Sequence, residues 1–180
     1  FPDFMIYKTK FGKGKDWVII VHGLGEHCGR YERLIKMLND EGFAVYTFDW
    51  PGHGKSDGKR GHAKVEDALG IINEIIDEIN KKPFILGHSL GGVTAIRYAE
   101  LYPGRIKGMI ASTPTLARGD NVSRFSVGLA KFLGAIMPSV TINNTIKPET
   151  LSRNKETVEN YINDPLVHDR ISLALARSLF

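Results

Sequence analysis

Nine consecutive residues, Phe84-Ile85-Leu86-Gly87-His88-Ser89-Leu90-Gly91-Gly92, constrain this 180-residue chain more than any other stretch. A short apolar run enters it and a glycine-flanked serine sits at its turn. Val93, Ala95, Ile96 and Ala99 then leave it at helical spacing. Strand, sharp turn and helix around G-x-S-x-G is the pattern of a nucleophile elbow. A serine held in a strained backbone conformation needs neighbours without side chains, so that the turn can close tightly. The helix that follows aims its unpaired N–H groups and positive dipole end at the serine.

The elements on either side suit such an elbow. Trp17-Val18-Ile19-Ile20-Val21-His22 is almost continuously apolar and β-branched, as expected of a parallel strand buried on both faces. Phe4-Met5-Ile6-Tyr7 reads as an earlier strand, turned by Gly12 and Gly14, and Phe43–Phe48 as a later one. Tyr31, Leu34, Ile35 and Leu38 mark an amphipathic helix stopped by Gly42. Val65, Ala68, Leu69, Ile72, Ile76 and Ile79 trace a second, longer helix. The elbow helix runs to about Tyr102, and Ile106–Ala111 is another strand. This alternation predicts a mostly parallel sheet with helices on both faces, an α/β fold.

From about Leu116 the pattern changes, and no further strand is expected. Phe125, Leu129, Phe132, Leu133 and Ile136 fall at helical spacing, but Val127, Ala130, Ala135 and Met137 make the segment apolar nearly all round. Such a helix is sandwiched, or faces a greasy ligand or a membrane. Asn154 caps a short helix carrying Val158, Tyr161 and Ile162, which Asp164-Pro165 ends. A last helix is expected from Asp169, through Ile171, Leu175 and Leu179. The domain division that follows is 1–115 for the α/β core and 116–180 for a helical cap.

Composition narrows the function. The 24 Lys and Arg are scattered among 20 Asp and Glu, with no basic run, so no nucleic-acid site is read. One cysteine, Cys28, excludes an internal disulfide framework and reads as a small buried or half-buried side chain. No apolar run approaches the ~18–20 residues of a membrane span, and residues 1–15 lack the pattern of a signal peptide. A cytoplasmic protein, peripheral to a membrane at most, is the expectation. No motif implies a metal or an organic cofactor.

Two further motifs stand upstream of the elbow: His22-Gly23-Leu24-Gly25-Glu26-His27, and Asp49-Trp50-Pro51-Gly52-His53-Gly54-Lys55-Ser56-Asp57-Gly58. With Gly87-His88-Ser89-Leu90-Gly91-Gly92 they resemble an α/β-hydrolase of the monoacylglycerol lipase and lysophospholipase type, over nearly the whole chain. The resemblance implies an α/β-hydrolase fold with a helical cap, and a serine hydrolase acting on a lipid ester. It implies that Ser89 attacks the ester carbonyl and that the backbone N–H groups of Leu24 and Leu90 form the oxyanion hole. Two such donors, aimed at the developing charge, are worth roughly 3–4 kcal/mol each. Gly23 and Gly25 let the Leu24 backbone come close to the substrate. In the cap, Leu129, Phe132, Leu133 and Ile136 would line an acyl-chain tunnel, with transient membrane or micelle contact through the same surface.

The histidines invite blander readings. His22 ends a buried strand and orders its loop by hydrogen bonds. His88 points away from the substrate, and His27, His53 and His62 lie in loops that rim the site in ordering roles. The resemblance also breaks at one place. The triad order Ser, then Asp or Glu, then His puts both partners beyond the cap, so a C-terminal segment carrying the catalytic Asp and His is expected after Phe180. A local Asp164–His168 pair is the alternative within the chain. A broad carboxylesterase or thioesterase would carry the same elbow. A non-catalytic binding protein of this fold would be expected to damage the elbow or the oxyanion loop, and both are intact.

Overall fold

The computed structural model describes residues 4–115, 128, 132–144 and 146–179. At its centre is a five-stranded sheet of order β1-β3-β2-β4-β5. The strands are β1 (Lys8–Phe11), β2 (Asp16–Val21), β3 (Phe43–Phe48), β4 (Phe84–His88) and β5 (Gly108–Ser112). All neighbours are parallel except β1, which runs antiparallel to β3. Helices α1 (Glu32–Asp40), α2 (Val65–Ile79) and α3 (Leu90–Leu101) make the crossovers.

Strand β2 shows why the sheet needs cover on both faces. Its side chains alternate between two cores: Val18 and Ile20 join Ile35 of α1 and Val45, whereas Ile19 and Val21 join α2, α3, Phe48 and Ile85. Burying each such side chain stabilises the fold by about 1.5–3 kcal/mol. Helix α1 stops where expected, with Gly42 at φ 83° and its N–H donating to Asn39 O (3.0 Å).

Two expectations are corrected. Phe4–Tyr7 is not the first strand; β1 begins at Lys8. The backbone of the earlier segment bonds instead to the loop after β3. Met5 exchanges hydrogen bonds with Asp57, Tyr7 N–H donates to Ser56 Oγ (2.9 Å), and Asp49 N–H donates to Tyr7 O (2.9 Å). Phe4 and Met5 remain more than half exposed. The short apolar run had suggested a strand, but a loop satisfies these groups equally well.

The second correction concerns the region after Leu116. It does contain strands: β6 (Thr141–Asn143) and β7 (Arg170–Ser172) pair antiparallel as a separate ribbon. Three residues each are too few to carry a readable period. The last helix, α5 (Leu173–Ser178), therefore starts after β7, with Ser172 Oγ accepting from Leu175 N–H (3.1 Å) as its cap. Helix α4 (Lys155–Asn163) matches expectation, and its Asn154 cap accepts from Thr157 N–H.

Candidate active site

Ser89 joins β4 to α3 at φ 52° and ψ −112°, a conformation that costs a non-glycine residue about 1–3 kcal/mol. Its neighbours explain how the turn persists. A Cβ on Gly87 would overlap the Gly91 carbonyl, and one on Gly91 would overlap the Val21 carbonyl, so β2, β4 and α3 converge with backbone against backbone. Ser89 N–H donates to Ser112 O of β5 (2.9 Å), and Ser89 O accepts the first bond of α3 from Val93 N–H (3.1 Å). The hydroxyl is thereby lifted to the exposed end of the sheet, within 3.4 Å of Thr115 Oγ1. Among the described residues no imidazole or carboxylate shares a hydrogen bond with it.

The loop after β2 lies directly against this turn. A Cβ on Gly23 would sit 3.3 Å from Ser89 Cβ and 3.4 Å from His88 O. Leu24, half-buried, packs on the core of α2 and α3, while Leu90 is buried at the start of α3. The two residues expected to supply oxyanion donors are thus on the two elements that flank Ser89.

Glu26 was missed in the sequence reading. Its Oε1 accepts from Gly23 N–H (2.6 Å) and from the Tyr31 hydroxyl (2.7 Å), and its Oε2 faces Arg30 Nε at 3.5 Å. Burial first, then the Glu26 charge, holds the Tyr31 phenol far above its ordinary pKa, so it stays a donor. The available signal was an accounting one: a tight loop has N–H groups that need acceptors, and an acidic residue three positions on supplies one.

His22 orders the loop, as expected. It is fully buried, its Nδ1 donates to Gly23 O (2.8 Å), and its Nε2 accepts from Trp50 N–H (3.2 Å). The Trp50 indole in turn donates to His22 O (3.1 Å). Burial lowers the His22 pKa, so the ring is neutral. Asp49 is equally structural: its carboxylate accepts from Cys28 N–H and Lys55 N–H, both at 2.8 Å, tying two loops together. Cys28 is buried, and its thiol is pushed well above its usual pKa by burial and then by Asp49.

Other placements differ from expectation. His53 does not rim the site; it is fully buried, with its ring centroid 4.5 Å from that of His168. His27 reaches the end of α4, where its Nε2 donates to Asp164 Oδ2 (2.8 Å). Asp164 and His168 are not hydrogen-bonded to each other in this structure: His168 Nδ1 accepts instead from Arg170 N–H (3.1 Å). His88 Nδ1 lies near Thr113 Oγ1 (3.2 Å) and Ser112 Oγ (3.4 Å) at the end of β5.

Of the expected acyl-chain residues, Leu129 lies outside the described residues. Phe132 and Ile136 are exposed by 62% and 61%, and Leu133 is half-buried. Their helical turn is seated on α5, where a Cβ on Gly134 would come within 2.6 Å of Leu173 O. A groove of about 760 Å³ runs past Tyr7, Cys28, Asp49, Lys55 and Leu166, and does not include Ser89. Among the described residues, no group of three His, Cys, Asp or Glu side chains is arranged to hold a metal ion, and no helix is long and apolar enough to cross a membrane.

Comparison with known proteins places this geometry. The family model of the serine aminopeptidases S33 matches residues 12–180. Monoglyceride lipase of Homo sapiens is 37% identical over 171 residues, covering 91% of this chain and 56% of that protein. Monoacylglycerol lipase of Mycolicibacterium smegmatis is 35% identical over 169 residues, covering 90% of this chain and 60% of that one. The crystal structure of Paleococcus ferrophilus monoacylglycerol lipase superposes with a TM-score of 0.95 at 56% identity, covering 98% of this chain and 69% of that one. The chain thus spans less than two thirds of the length of these two curated relatives.

Proposed function

The chain belongs to the S33 serine aminopeptidase family of α/β-hydrolases, among the relatives of the monoacylglycerol lipases, and from that premise we propose that its whole protein is a serine hydrolase of monoacylglycerols or lysophospholipids. The observation that carries the reading is Ser89 at φ 52°, pressed against Gly23 on a turn that only glycine neighbours permit. In this reading Ser89 Oγ adds to the ester carbonyl, and the Leu24 and Leu90 N–H groups receive the negative charge that develops on oxygen. The serine proton passes to a base and from it to the departing alcohol; water then cleaves the acyl-Ser89 bond.

A serine without a base is a weak nucleophile. The described residues offer Ser89 no such partner, and the matched relatives are longer than this chain. The reading therefore assigns the catalytic Asp and His to a part of the protein outside these residues. Residues 1–115 form the core and 116–180 the cap. Leu129, Phe132, Leu133 and Ile136 contact the acyl chain, and the exposed Phe132, Ile136 and Met137 give the cap an apolar surface for a transient lipid contact.

The test is covalent labelling of the full-length protein by a fluorophosphonate, with turnover of a glycerol monoester. Labelling at Ser89, lost in Ser89→Ala together with turnover, is the expected result; labelling elsewhere or none refutes the reading. The acyl contact has its own test. Leu129→Ala and Phe132→Ala should shift the preference from long towards short acyl esters, and an unchanged profile removes these residues from the substrate path.

A further inference from the structure

The segment between α4 and β7 lies on the loop that holds Leu24. His168 N–H donates to Gly25 O (2.9 Å), and a Cβ on Gly25, at φ 76°, would overlap the His168 carbonyl. Two backbones therefore touch where only glycine leaves room. The neighbouring Asp169 carbonyl accepts from Asn144 N–H (2.7 Å), which continues the β6–β7 ribbon up to this contact.

The other side of the same loop is held by His22, and imidazoles bridge the two. His22 Nδ1 donates to Gly23 O, as described above. The His53 ring lies 5.7 Å from that of His22 and 4.5 Å from that of His168. Gly23 and Gly25 are thus joined through three rings, and Leu24 sits between them.

Hydrogen bonds assign the protons. His53 Nδ1 faces the Pro51 carbonyl at 2.9 Å, which can only accept, so Nδ1 carries the proton and Nε2 presents a lone pair. His168 Nδ1 accepts from Arg170 N–H, so its proton is on Nε2. Both Nε2 atoms are buried without a partner among the described residues, one a donor and the other an acceptor. Buried polar atoms are rarely left so, and at His168 the Gly52 backbone favours the protonated ring.

We propose that His168 is a positioning residue, which with His53 and His22 clamps the Gly23–Gly25 loop so that the Leu24 N–H stays aimed at Ser89. This rests on the reading of Leu24 as an oxyanion donor. The clamp works with neutral rings. His53 stands between two other imidazoles, and the Arg60 guanidinium opposes a charge on His53 and on His168. Asp169 beside His168, and Glu26 and Asp49 beside His22, favour protonation without overcoming burial. The cap and the oxyanion loop are consequently one mechanical unit: moving the segment that bears His168 moves the donor.

The experiment uses the full-length protein with His168→Ala and His168→Asn, a soluble short-chain glycerol monoester, and amide hydrogen exchange. A donor misplaced by about 1 Å costs ten- to a hundredfold in rate. In His168→Ala, folded by circular dichroism, kcat should fall by about tenfold with KM within about twofold, and exchange at Leu24 and Gly25 should accelerate. His168→Asn should recover part of both losses, because its side-chain oxygen can accept from Arg170 N–H as the imidazole does. Unchanged kcat and exchange in His168→Ala overturn the clamp. So does a complete loss of turnover in both variants with unchanged exchange, which would make His168 the base. If the wild-type protein neither turns over ester nor labels at Ser89, the functional reading and the catalytic role of the clamp fall together. Faster loop exchange in His168→Ala would then still establish the mechanical link, and unchanged exchange would remove that too.

Discussion

His27 Nε2 donates to Asp164 Oδ2 at 2.8 Å, linking the loop after β2 to the C-terminal end of α4. The donor is assigned by the other ring nitrogen, since His27 Nδ1 accepts from Gly29 N–H (3.2 Å). Arg30 brings a cation to 3.9 Å from the same carboxylate oxygen, while its guanidinium lies over the Tyr161 ring of α4 at 4.8 Å. The loop after β2 and the C-terminal segment thus meet through charge and aromatic contact at His27 and Arg30, and through backbone at Gly25 and His168.

Removing Asp164 should loosen the contact between α4 and the loop after β2. Burial by itself raises its pKa, but the His27 hydrogen bond, then Leu166 N–H and the Arg30 charge, leave it below the usual carboxylate range. A depressed carboxyl pKa stabilises the fold above its unfolded value, and the gain is lost as pH falls through the folded one. Asp164→Ala should cost about 1–2 kcal/mol at pH 7. Urea unfolding of the two proteins side by side measures it.

Strain at Ser89 gives a separable effect on stability. Ser89→Ala keeps the positive φ and its cost, whereas glycine adopts it freely. Both variants should lose ester turnover, but Ser89→Gly should be the more stable by about 1 kcal/mol. Equal melting temperatures would mean that the turn is not strained.

Leu24 should matter through its backbone. Leu24→Ala should keep turnover within about threefold, because truncating the side chain spares the N–H donor. Gly25→Ala must displace the His168 carbonyl and leave a favourable φ, and should lower kcat by about a hundredfold. Comparable losses in the two variants would show that the side chain of Leu24, rather than its amide, serves the reaction.

The buried imidazoles predict an acid limb well above that of a carboxylate. Burial, then Arg60, pushes the His168 pKa down to about 4, and burial lowers those of His22 and His53. A depressed histidine stabilises the fold fully above its unfolded pKa, near 6.5, and that contribution drains away as pH falls towards the folded value. Stability should therefore decline between about pH 6.5 and 4, with a shallower decline in His168→Asn. Melting temperature against pH tests this, and identical slopes would exclude His168 as a source.

The elbow was legible because its constraints are local. Gly87, Ser89, Gly91 and Gly92 fall within six positions, between an apolar run and a helical period, and no other common arrangement suits that order. Asn154 was legible as a cap for the same reason, since cap and recipient N–H are three residues apart. The first strand was misplaced because Phe4–Tyr7 is a short apolar run like a strand, while its backbone partners, Ser56 and Asp57, lie about fifty positions away. The ribbon of β6 and β7 escaped notice because three-residue strands have no period to read.

The sequence alone determined the α/β alternation, the family motifs and Ser89 at a turn crowded enough to require glycine, all through steric rules acting over a few residues. Only the tertiary structure decided where the histidines go. It buried His53, joined His27 to Asp164, and set His168 against Gly25. These contacts join residues more than a hundred positions apart through backbone atoms and ring edges, and such atoms leave no spacing in a sequence.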